Sequence, residues 1–362
     1  MLPSRMIGLT EKDMQAVVHS YQYNDFYVPT IMPYRENYTL TFKALTAQYG
    51  LRVAADIVAR GASIDTKTRE AIKRLQGDIP KIAIKRTMDE NELTEYNIAL
   101  QLATGDSRAT ELVRRWAEDT EFCFTGVNAR IEWMALQSIS RGKVTVSSQN
   151  NNGIVTSVTV DYKVENKGGV AVPWTNSSQA TPIKDIRNVV KSMRAKGIYL
   201  RYAFMNTDTF VTFTQTDEII KQCASFAANA LGIQHTPSLE EVNNMLRSRA
   251  DLYGLQIIVI NQDLTIELAD KSQVSGNPFV TNSVMFSESQ QLGETYWKRP
   301  IDMDMTGTAA IMAMNNAVLI KKFSLDEPIE EVTMGIANAF PCWTSAQRSY
   351  LLDISSTSWT IA

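Results

Sequence analysis

Residues 172–197 read VPWTNSSQATPIKDIRNVVKSMRAKG, a polar loop that leads into a sharply bounded helix. Thr181 can accept a hydrogen bond from a free amide of the first turn, and Pro182 supplies the φ angle of the first helical position. Gly197 can adopt the left-handed conformation that ends a helix. Between these limits, apolar residues recur at helical spacing and predict one buried face. The residues of that face are Ile183, Ile186, Val190 and Met193.

The composition predicts a folded protein without a strongly charged surface. The chain has 362 residues, of which 44% are hydrophobic and 9% aromatic, so it can form one large domain or two ordinary ones. Its formal net charge of -3 argues against specific nucleic-acid binding through a strongly basic surface. The hydrophobic and aromatic contents also argue against a disordered chain.

The cysteines and the N-terminus bear on the compartment. Cys123, Cys223 and Cys342 are far apart, with no CxxC pair, so they predict buried thiols in a reducing compartment. The opening MLPSRMIGLTEKDMQ lacks the pattern of a signal peptide. The uncharged run at residues 305–320 is too short and too polar to span a bilayer. We therefore expect a soluble protein inside the cell that makes it.

The N-terminal part predicts an arm followed by a two-stranded excursion. Residues 1–40 are rich in Tyr and contain two prolines near their end, so we expect an extended arm with a helix only near residues 12–20. Apolar stretches at 53–65 and 79–87 flank a charged segment and predict the two strands. Because isolated ribbons are marginally stable in water, we expect this excursion to lie on a partner surface.

The middle of the chain contains the clearest helix. Apolar residues follow helical spacing from Ser107 to Arg141, well beyond the usual three turns, and Gly126 is a point where such a helix can bend. A shorter helix is predicted before it, at residues 89–103. Two strands joined through QNNNG follow it and predict a hairpin that turns at Asn152 and Gly153.

The remainder predicts a second subdomain and a return to the first. From residue 181 to residue 300 helices and strands alternate, which is typical of a mixed α/β subdomain. Residues 316–345 are strand-like and can rejoin the sheet of the first part. The expected helix starts in the α/β part include Asn206, Thr216 and Ser238, the last with Glu241 as a capping box.

The sequence gives no evidence of catalytic chemistry. It lacks the common nucleophile, phosphate-loop, dinucleotide, zinc-protease and calcium-loop motifs, and neither His19 nor His235 stands beside a Ser or Cys elbow. The acidic pairs 240–241 and 330–331 are interpreted as helix starts, where carboxylates compensate the helix dipole. We therefore predict no catalytic, cofactor-binding or metal-binding residues, and no cofactor.

Aromatic and basic side chains near loops allow two interpretations each. The tryptophans are expected to fill the core, with subunit contact as the alternative. The basic residues of the 79–87 strand are expected to form a solvated face, with contact to phosphate or to an acidic partner as the alternative. The residues concerned are Trp174, Trp297, Trp343, Lys81, Lys85 and Arg86.

The stretch from Pro173 to Gly197, with its Trp, small polar residues and proline-led helix opening, resembles the lambda-type major capsid protein family of tailed bacteriophages. Other stretches agree in the same order along nearly the whole chain. They are the arm at 25–42, the strand at 79–93, the long helix, the strand and helix at 202–219, and residues 277–297. Order and spacing carry the resemblance, because each stretch is a pattern of hydrophobicity and turn residues.

The resemblance implies the tailed-phage major capsid fold, of class α+β. It implies an N-terminal arm and an extended β-loop, each ordered by lying on neighbouring copies. It also implies a peripheral domain with a long spine helix and an axial α/β domain. The corresponding residues are 1–45 for the arm, 46–90 for the loop, 91–180 with 301–362 for the peripheral domain, and 181–300 for the axial domain.

The implied function is that of a major capsid protein, not an enzyme, which self-assembles into hexamers and pentamers of the icosahedral shell around the phage genome. The implied partners are identical copies, a scaffolding protein, a portal, optionally a decoration protein, and packaged DNA in nonspecific contact, with no membrane. The protein would occupy the host cytoplasm during assembly and the virion afterwards.

Two alternatives remain at this point. The same fold can form an encapsulin-like cellular nanocompartment that encloses an enzyme. A motif-poor α/β enzyme within residues 181–300 is the second alternative, and His235 and Asp263 are the residues whose replacement would test it.

Overall fold

The structure is a computed structural model that describes residues 3–4, 10–47, 72–102, 106–147, 158–224, 235–267, 272–304 and 310–361. The strand expected at 53–65 and the turn expected at Asn152 and Gly153 lie outside these residues. The described chain combines helices with several sheets, which confirms the α+β class.

The helices begin close to the start signals in the sequence. Asn206 and Ser238 both act as caps, because each side-chain oxygen accepts a hydrogen bond from the backbone amide three residues later. Thr216 precedes a helix but makes no such bond. The helices are α1 (Glu11–Ser20), α2 (Val28–Ile31), α3 (Glu90–Leu102), α4 (Asp106–Arg141), α5 (Pro182–Ala195), α6 (Thr207–Thr214), α7 (Asp217–Cys223) and α8 (Leu239–Ser248).

The strands fall into two larger sheets and three two-stranded ones. Those of the N-terminal third are β1 (Tyr34–Glu36), β2 (Thr41–Ala47), β3 (Ile72–Asp78), β4 (Lys81–Met88), β5 (Lys143–Val146) and β6 (Val158–Asp161). The others are β7 (Lys167–Gly169), β8 (Tyr202–Asn206), β9 (Gln256–Ile260), β10 (Leu264–Glu267), β11 (Gln273–Gly276), β12 (Ser283–Ser287), β13 (Glu294–Lys298), β14 (Ile311–Asn315), β15 (Val318–Asp326), β16 (Ile329–Cys342) and β17 (Tyr350–Asp353).

The chain divides into two compact units, and the path of the chain crosses between them several times. The first unit is Met1–Phe42, Gly77–Met134 and Glu294–Cys342. The second is Lys43–Gln76, Ala135–Gly293 and Trp343–Ala362. The boundaries of these units differ from those of the four segments that the resemblance implies. The boundaries of the four segments stay a prediction.

The first unit is built on a sheet with the order β1-β13-β16-β15-β14, and β4 also pairs with β16. Residues 316–345 therefore do return to the sheet of the first part, as expected. The assignment of β4 to a two-stranded excursion is wrong, because it pairs antiparallel with β16, with Ile84 opposite Gly335. The two-stranded ribbon consists instead of β2 and β3.

Helix α4 packs closely against this sheet, with its backbone near strands β4 and β16. A Cβ atom at Gly335 of β16 would lie 2.6 Å from the Cys123 carbonyl oxygen of α4. A Cβ atom at Gly126 of α4 would lie 2.7 Å from the Ile84 side chain of β4. Glycine at these two positions therefore lets the helix and the sheet approach each other, and Gly126 serves this packing inside an uninterrupted helix.

The N-terminal segment folds onto its own unit. Met14 and Val18 of α1 are buried, and the Gln15 side-chain amide donates to the Met314 carbonyl of β14 over 3.0 Å. Strand β1 pairs parallel with β13, with Tyr34 opposite Thr295. Contacts within the chain hold α1, α2 and β1 on this unit, so their order does not require a neighbouring copy, and contact of the arm with other copies stays a prediction.

The second unit contains helix α5, which follows the polar loop at residues 172–181. The face of α5 is buried as predicted, Pro182 begins the helix, and Gly197 has a φ of 75°. The cap predicted at Thr181 is wrong. The Ile183 amide donates instead to the Glu218 carboxylate of α7 over 2.9 Å, so a tertiary contact replaces the local one.

The core of the second unit lies between these helices and a sheet with the order β7-β17-β12-β8-β9. Trp174 is fully buried in it, beside Phe213 of α6, and its indole N–H donates to Asp185 over 3.0 Å. Trp174 therefore fills the core and at the same time satisfies its polar atom, as the simpler interpretation predicts.

We expect Gly335→Ala to destabilise the first unit by about 1–3 kcal/mol, because the added methyl group meets a helix carbonyl that cannot move aside. Gly276→Ala is the matched control, since nothing lies within 4 Å of a Cβ at that exposed strand position. Urea denaturation followed by fluorescence measures both. Equal midpoints for the two variants would contradict the close helix–sheet contact.

Candidate assembly surfaces

The histidines and Asp263 do not form a catalytic site with one another. His19 lies beside Gln15, and its ring nitrogen is 3.0 Å from the Met314 carbonyl oxygen. His235 is exposed and 3.2 Å from the Glu241 carboxylate, which belongs to the capping box of α8. Asp263 is exposed between β9 and β10. Each histidine thus has a local structural partner.

Other chemical sites are not found in the part of the chain that the structure describes. No group of His, Cys, Asp and Glu in the described ranges could hold a metal ion. Of the helices described, none is long and apolar enough to cross a membrane. The three cysteines are free, and burial raises the pKa of Cys123 and Cys223 to about 11 and that of Cys342 to about 12. These thiols are therefore protonated and unreactive at neutral pH.

The two acidic pairs have different environments. Glu240 and Glu241 lie in the first turn of α8, as predicted. Glu330 and Glu331 lie in strand β16, so their assignment to a helix start is wrong. Glu331 is only 1% exposed and accepts a hydrogen bond from the Ser4 hydroxyl. A buried carboxylate needs compensation, and a buried lysine is close to it.

Lys322 of β15 is that lysine, and it joins the sheet to helix α4. It has no exposed surface, and its ammonium donates to the Thr333 hydroxyl over 3.0 Å. Burial lowers the pKa of Lys322, while the charges of Glu331 and Asp119 oppose this shift. Burial likewise raises the pKa of Asp119 on α4, against the effects of Lys322 and Arg86. This closed cluster of charges is structural, because its lysine is inaccessible to any substrate.

Strand β4 presents a basic edge, which we define as Lys81 and Lys85. Both side chains are exposed and lie on the face of the strand opposite to Ile82 and Ile84. Within the described ranges β4 pairs with β16 on one side, and no described strand pairs with its other side. Lysines on an edge strand disfavour indiscriminate pairing with another strand.

Helices α3 and α4 present an acidic surface in the same unit. Arg86 marks its border, since it pairs with Asp119 over 3.3 Å and stands over the Phe122 ring at 5.1 Å. Two large apolar side chains are exposed among the acids, Ile98 at 51% and Phe122 at 47%. Apolar groups surrounded by charge are typical of a protein contact. The exposed acids of this surface are Glu90, Glu92, Glu95, Glu118 and Glu121.

Two two-stranded β elements have exposed residues within them or beside them. The hairpin β10–β11 pairs with no third described strand, and its residue Val274 is 56% exposed. The ribbon β2–β3 starts after a loop in which Tyr38 is 90% exposed. The Asn37 side-chain amide holds this loop by donating to the carbonyl oxygens of Thr39 and Thr41, each over 2.9 Å. Isolated pairs of strands gain stability only from further packing, so both elements are candidates for contact with another copy.

Of the remaining tryptophans, Trp343 is fully buried and fills the core as expected. Trp297 on β13 is only partly buried, so the alternative of subunit contact stays a prediction for it. Lys81, Lys85 and Arg86 are exposed.

Sequence reasoning missed the buried charges at Lys322 and Glu132. Glu132 follows Phe124 and Asn128 at intervals of four along the apolar stripe of α4, and an acid at such a position is a signal of a buried partner. Lys322 shows the same kind of signal, as a charge inside the apolar strand that ends in KKFSL.

The comparisons with known proteins agree with a shell-forming chain. The model of one protein family, described as phage major capsid protein E, matches residues 13–348. No curated protein matches the sequence at a significant level. The family model thus spans most of both units.

Two solved structures share the fold at low sequence identity. One, described as a capsid protein of a prophage of E. coli CFT073, matches with a TM-score of 0.61 and 12% identity, over 96% of this chain and 99% of the other. The second, a phage-related protein from Bordetella bronchiseptica, has a TM-score of 0.54 and 11% identity, over 94% of this chain and 95% of the other. At such identities the likeness concerns the fold alone.

We expect Lys322→Met to destabilise the protein by on the order of 3–5 kcal/mol, because Asp119 and Glu331 then lack their buried cation. Lys81→Met on the exposed edge of the same sheet is the control and should stay within about 0.5 kcal/mol of the wild type. Chemical denaturation provides both values. A loss for Lys322→Met as small as that for the control would show that the cluster is not needed.

Proposed function

This chain belongs to the phage major capsid protein E family, and from that premise we propose that its copies join head to tail into hexamers and pentamers of an icosahedral phage head. The protein is a structural subunit of a capsid and a component of the virion. The family match over residues 13–348 carries this conclusion. It favours a phage shell over a cellular nanocompartment and over an α/β enzyme.

Opposite charges on one subunit support head-to-tail association. The basic edge of β4 and the acidic surface of α3 and α4 are different surfaces of the same unit. Contact between two unlike surfaces in one direction is heterologous and produces rings when the rotation closes, whereas a two-fold interface centred on either surface alone would place like charges together. In the proposed ring, the Lys81 and Lys85 edge of one subunit meets the acidic surface of the next.

The same contact allows two ring sizes. Charge pairs at the edge of an interface tolerate small rotations, because their energy falls off gradually with distance. Packed cores, in contrast, do not deform continuously. We infer that each unit moves as a body between the hexamer and pentamer arrangements, and between the compact and expanded shell.

The hairpin β10–β11 and the ribbon β2–β3 add contacts in this proposal. The hairpin has the exposed Val274, and the loop that leads into the ribbon has the exposed Tyr38 and Leu40, so each would gain packing if another copy covered it. The arm at 1–45, the loop at 46–90, the peripheral domain at 91–180 with 301–362 and the axial domain at 181–300 remain the proposed parts.

The remaining partners follow from the proposed shell. Identical copies supply the main contacts, while a scaffolding protein, a portal and optionally a decoration protein act during or after assembly. Packaged DNA makes nonspecific contact with the inner surface. Assembly takes place in the host cytoplasm, and the protein performs no catalysis and needs no cofactor.

We expect the double variant Lys81→Glu/Lys85→Glu to raise the protein concentration needed for assembly by roughly tenfold or more, because like charges then meet at every interface. Adding Glu95→Lys and Glu121→Lys to the same chain restores the attraction with reversed signs and should restore assembly. Light scattering and negative-stain electron microscopy measure particle formation.

The matched control is Lys184→Glu/Lys191→Glu, which changes the net charge equally on the exposed face of α5. It should assemble like the wild type. The head-to-tail contact is refuted if the β4 variant forms particles normally, or if the four-fold variant folds but assembles no better than the double variant.

A further inference from the structure

Glu132 on helix α4 holds the N-terminal segment by its carboxylate. The residue has no exposed surface. Its two carboxylate oxygens accept hydrogen bonds from the backbone amides of Tyr27 and Val28, over 2.9 and 2.8 Å. A side chain of one element therefore caps another element that is more than a hundred residues away in sequence.

Helix α2 depends on this contact. It spans only Val28–Ile31, and the preceding residue, Tyr27, makes no side-chain cap of its own. The first amides of a helix lack partners within the helix, so side-chain oxygens of another element can satisfy them. A helix of four residues is unstable alone, so Glu132 supplies what the local sequence lacks.

Further contacts place the same segment on the first unit. The Tyr34 hydroxyl donates to the Asn128 side chain, one turn before Glu132, over 2.9 Å. The Thr295 hydroxyl of β13 donates to the Met32 carbonyl over 2.7 Å. These contacts bury the carboxylate under residues 27–34, so release of the segment would expose it to water.

The titratable groups that face this site are phenols. The Glu132 charge acts on Tyr34 of β1, and Tyr34 in turn lies beside Tyr23. Burial raises the pKa of Tyr23 to about 12 and that of Tyr34 well above its usual value, so both stay neutral. Neither phenol compensates a negative charge on Glu132.

The protonation of Glu132 therefore reflects its burial. Burial raises the pKa of Glu132 to about 7, although the amides of Val28 and Tyr27 favour the charged form. In water a glutamate has a pKa near 4.3. The docked segment thus keeps a proton on Glu132 at pH values where the exposed side chain would be ionised.

We propose that residues 21–34 dock onto helix α4 with uptake of a proton at Glu132. Glu132 is then the positioning residue of this segment, and the stability of the docked state depends on pH. The docked state binds the proton more tightly than the released state, so docking is strongest in acid. It weakens as the pH rises from about 4.5 through about 7. The inference does not rest on the proposed assembly, because every contact lies within one chain.

Hydrogen exchange of the Tyr27 and Val28 amides measures the docking directly, because both amides donate to Glu132. The experiment uses the full chain at low concentration between pH 5 and 8.5, with rates corrected for intrinsic exchange. We expect protection to fall roughly tenfold from pH 6 to pH 8, which follows from the proton linkage. Amides in the middle of α5, in the other unit, serve as the internal reference.

Two substitutions separate the proton from the hydrogen bonds. Glu132→Gln removes the titratable charge and keeps a carbonyl acceptor for one of the two amides, while its NH2 group opposes the other, so its protection should be lower than that of the wild type in acid and independent of pH. Glu132→Ala removes the acceptor and should lose protection at every pH. If Glu132 has only a structural role, both variants lose protection, and their dependence on pH is the same as that of the wild type.

The proposal is overturned if the wild-type amides keep constant protection across this range relative to the α5 reference. It is also overturned if Glu132→Gln shows the same dependence on pH as the wild type. Should the variants not fold, the wild-type profile still decides, because the proposal requires its midpoint near 7 and an ordinary exposed glutamate would place it below pH 5.

Discussion

The contact on which the rest of the first unit depends is the approach of helix α4 to strands β4 and β16. Gly335 and Gly126 let the backbones come within distances that a side chain would prevent. At that separation Asp119 of the helix reaches the cluster of Lys322, which brings opposite charges together inside the unit. The helix is thereby fixed in position along the sheet as well as in its distance from it.

The other surfaces of the unit follow from this position. With α4 fixed, Glu132 and Asn128 meet the N-terminal segment and hold it on the unit. Glu118 and Glu121 are exposed on the same helix, whose Asp119 is influenced by Glu92 of α3, while β4 displays Lys81 and Lys85. A single packing contact thus determines where two surfaces of opposite charge lie, and such a pair suits a head-to-tail ring.

Local features of this fold could be predicted from sequence, and long-range ones could not. The capping box at Ser238, the turn at Gly197 and the length of α4 depend on residues close in the chain, and the structure agrees with them. The pairing of β4 with β16 joins segments about 250 residues apart, and the pattern of β4 suits an edge strand and an isolated ribbon equally. The replacement of the Thr181 cap by Glu218 and the burial of Glu331 also arise from tertiary contacts. The resemblance to a capsid family predicted the shell function. The pattern of charged residues in the sequence did not predict the exposed acidic residues of α3 and α4 as a contact surface.

In the proposed ring, the basic residues of β4 in one subunit lie on the exposed glutamates of α3 and α4 in the next. An electron cryomicroscopy map of assembled particles, at a resolution that shows side chains, is the decisive measurement. We expect density that joins Lys81 and Lys85 of each subunit to the exposed glutamates of α3 or α4 in its neighbour, in hexamers and pentamers alike. A map in which both surfaces face solvent, or in which two β4 edges meet across a two-fold axis, would contradict it.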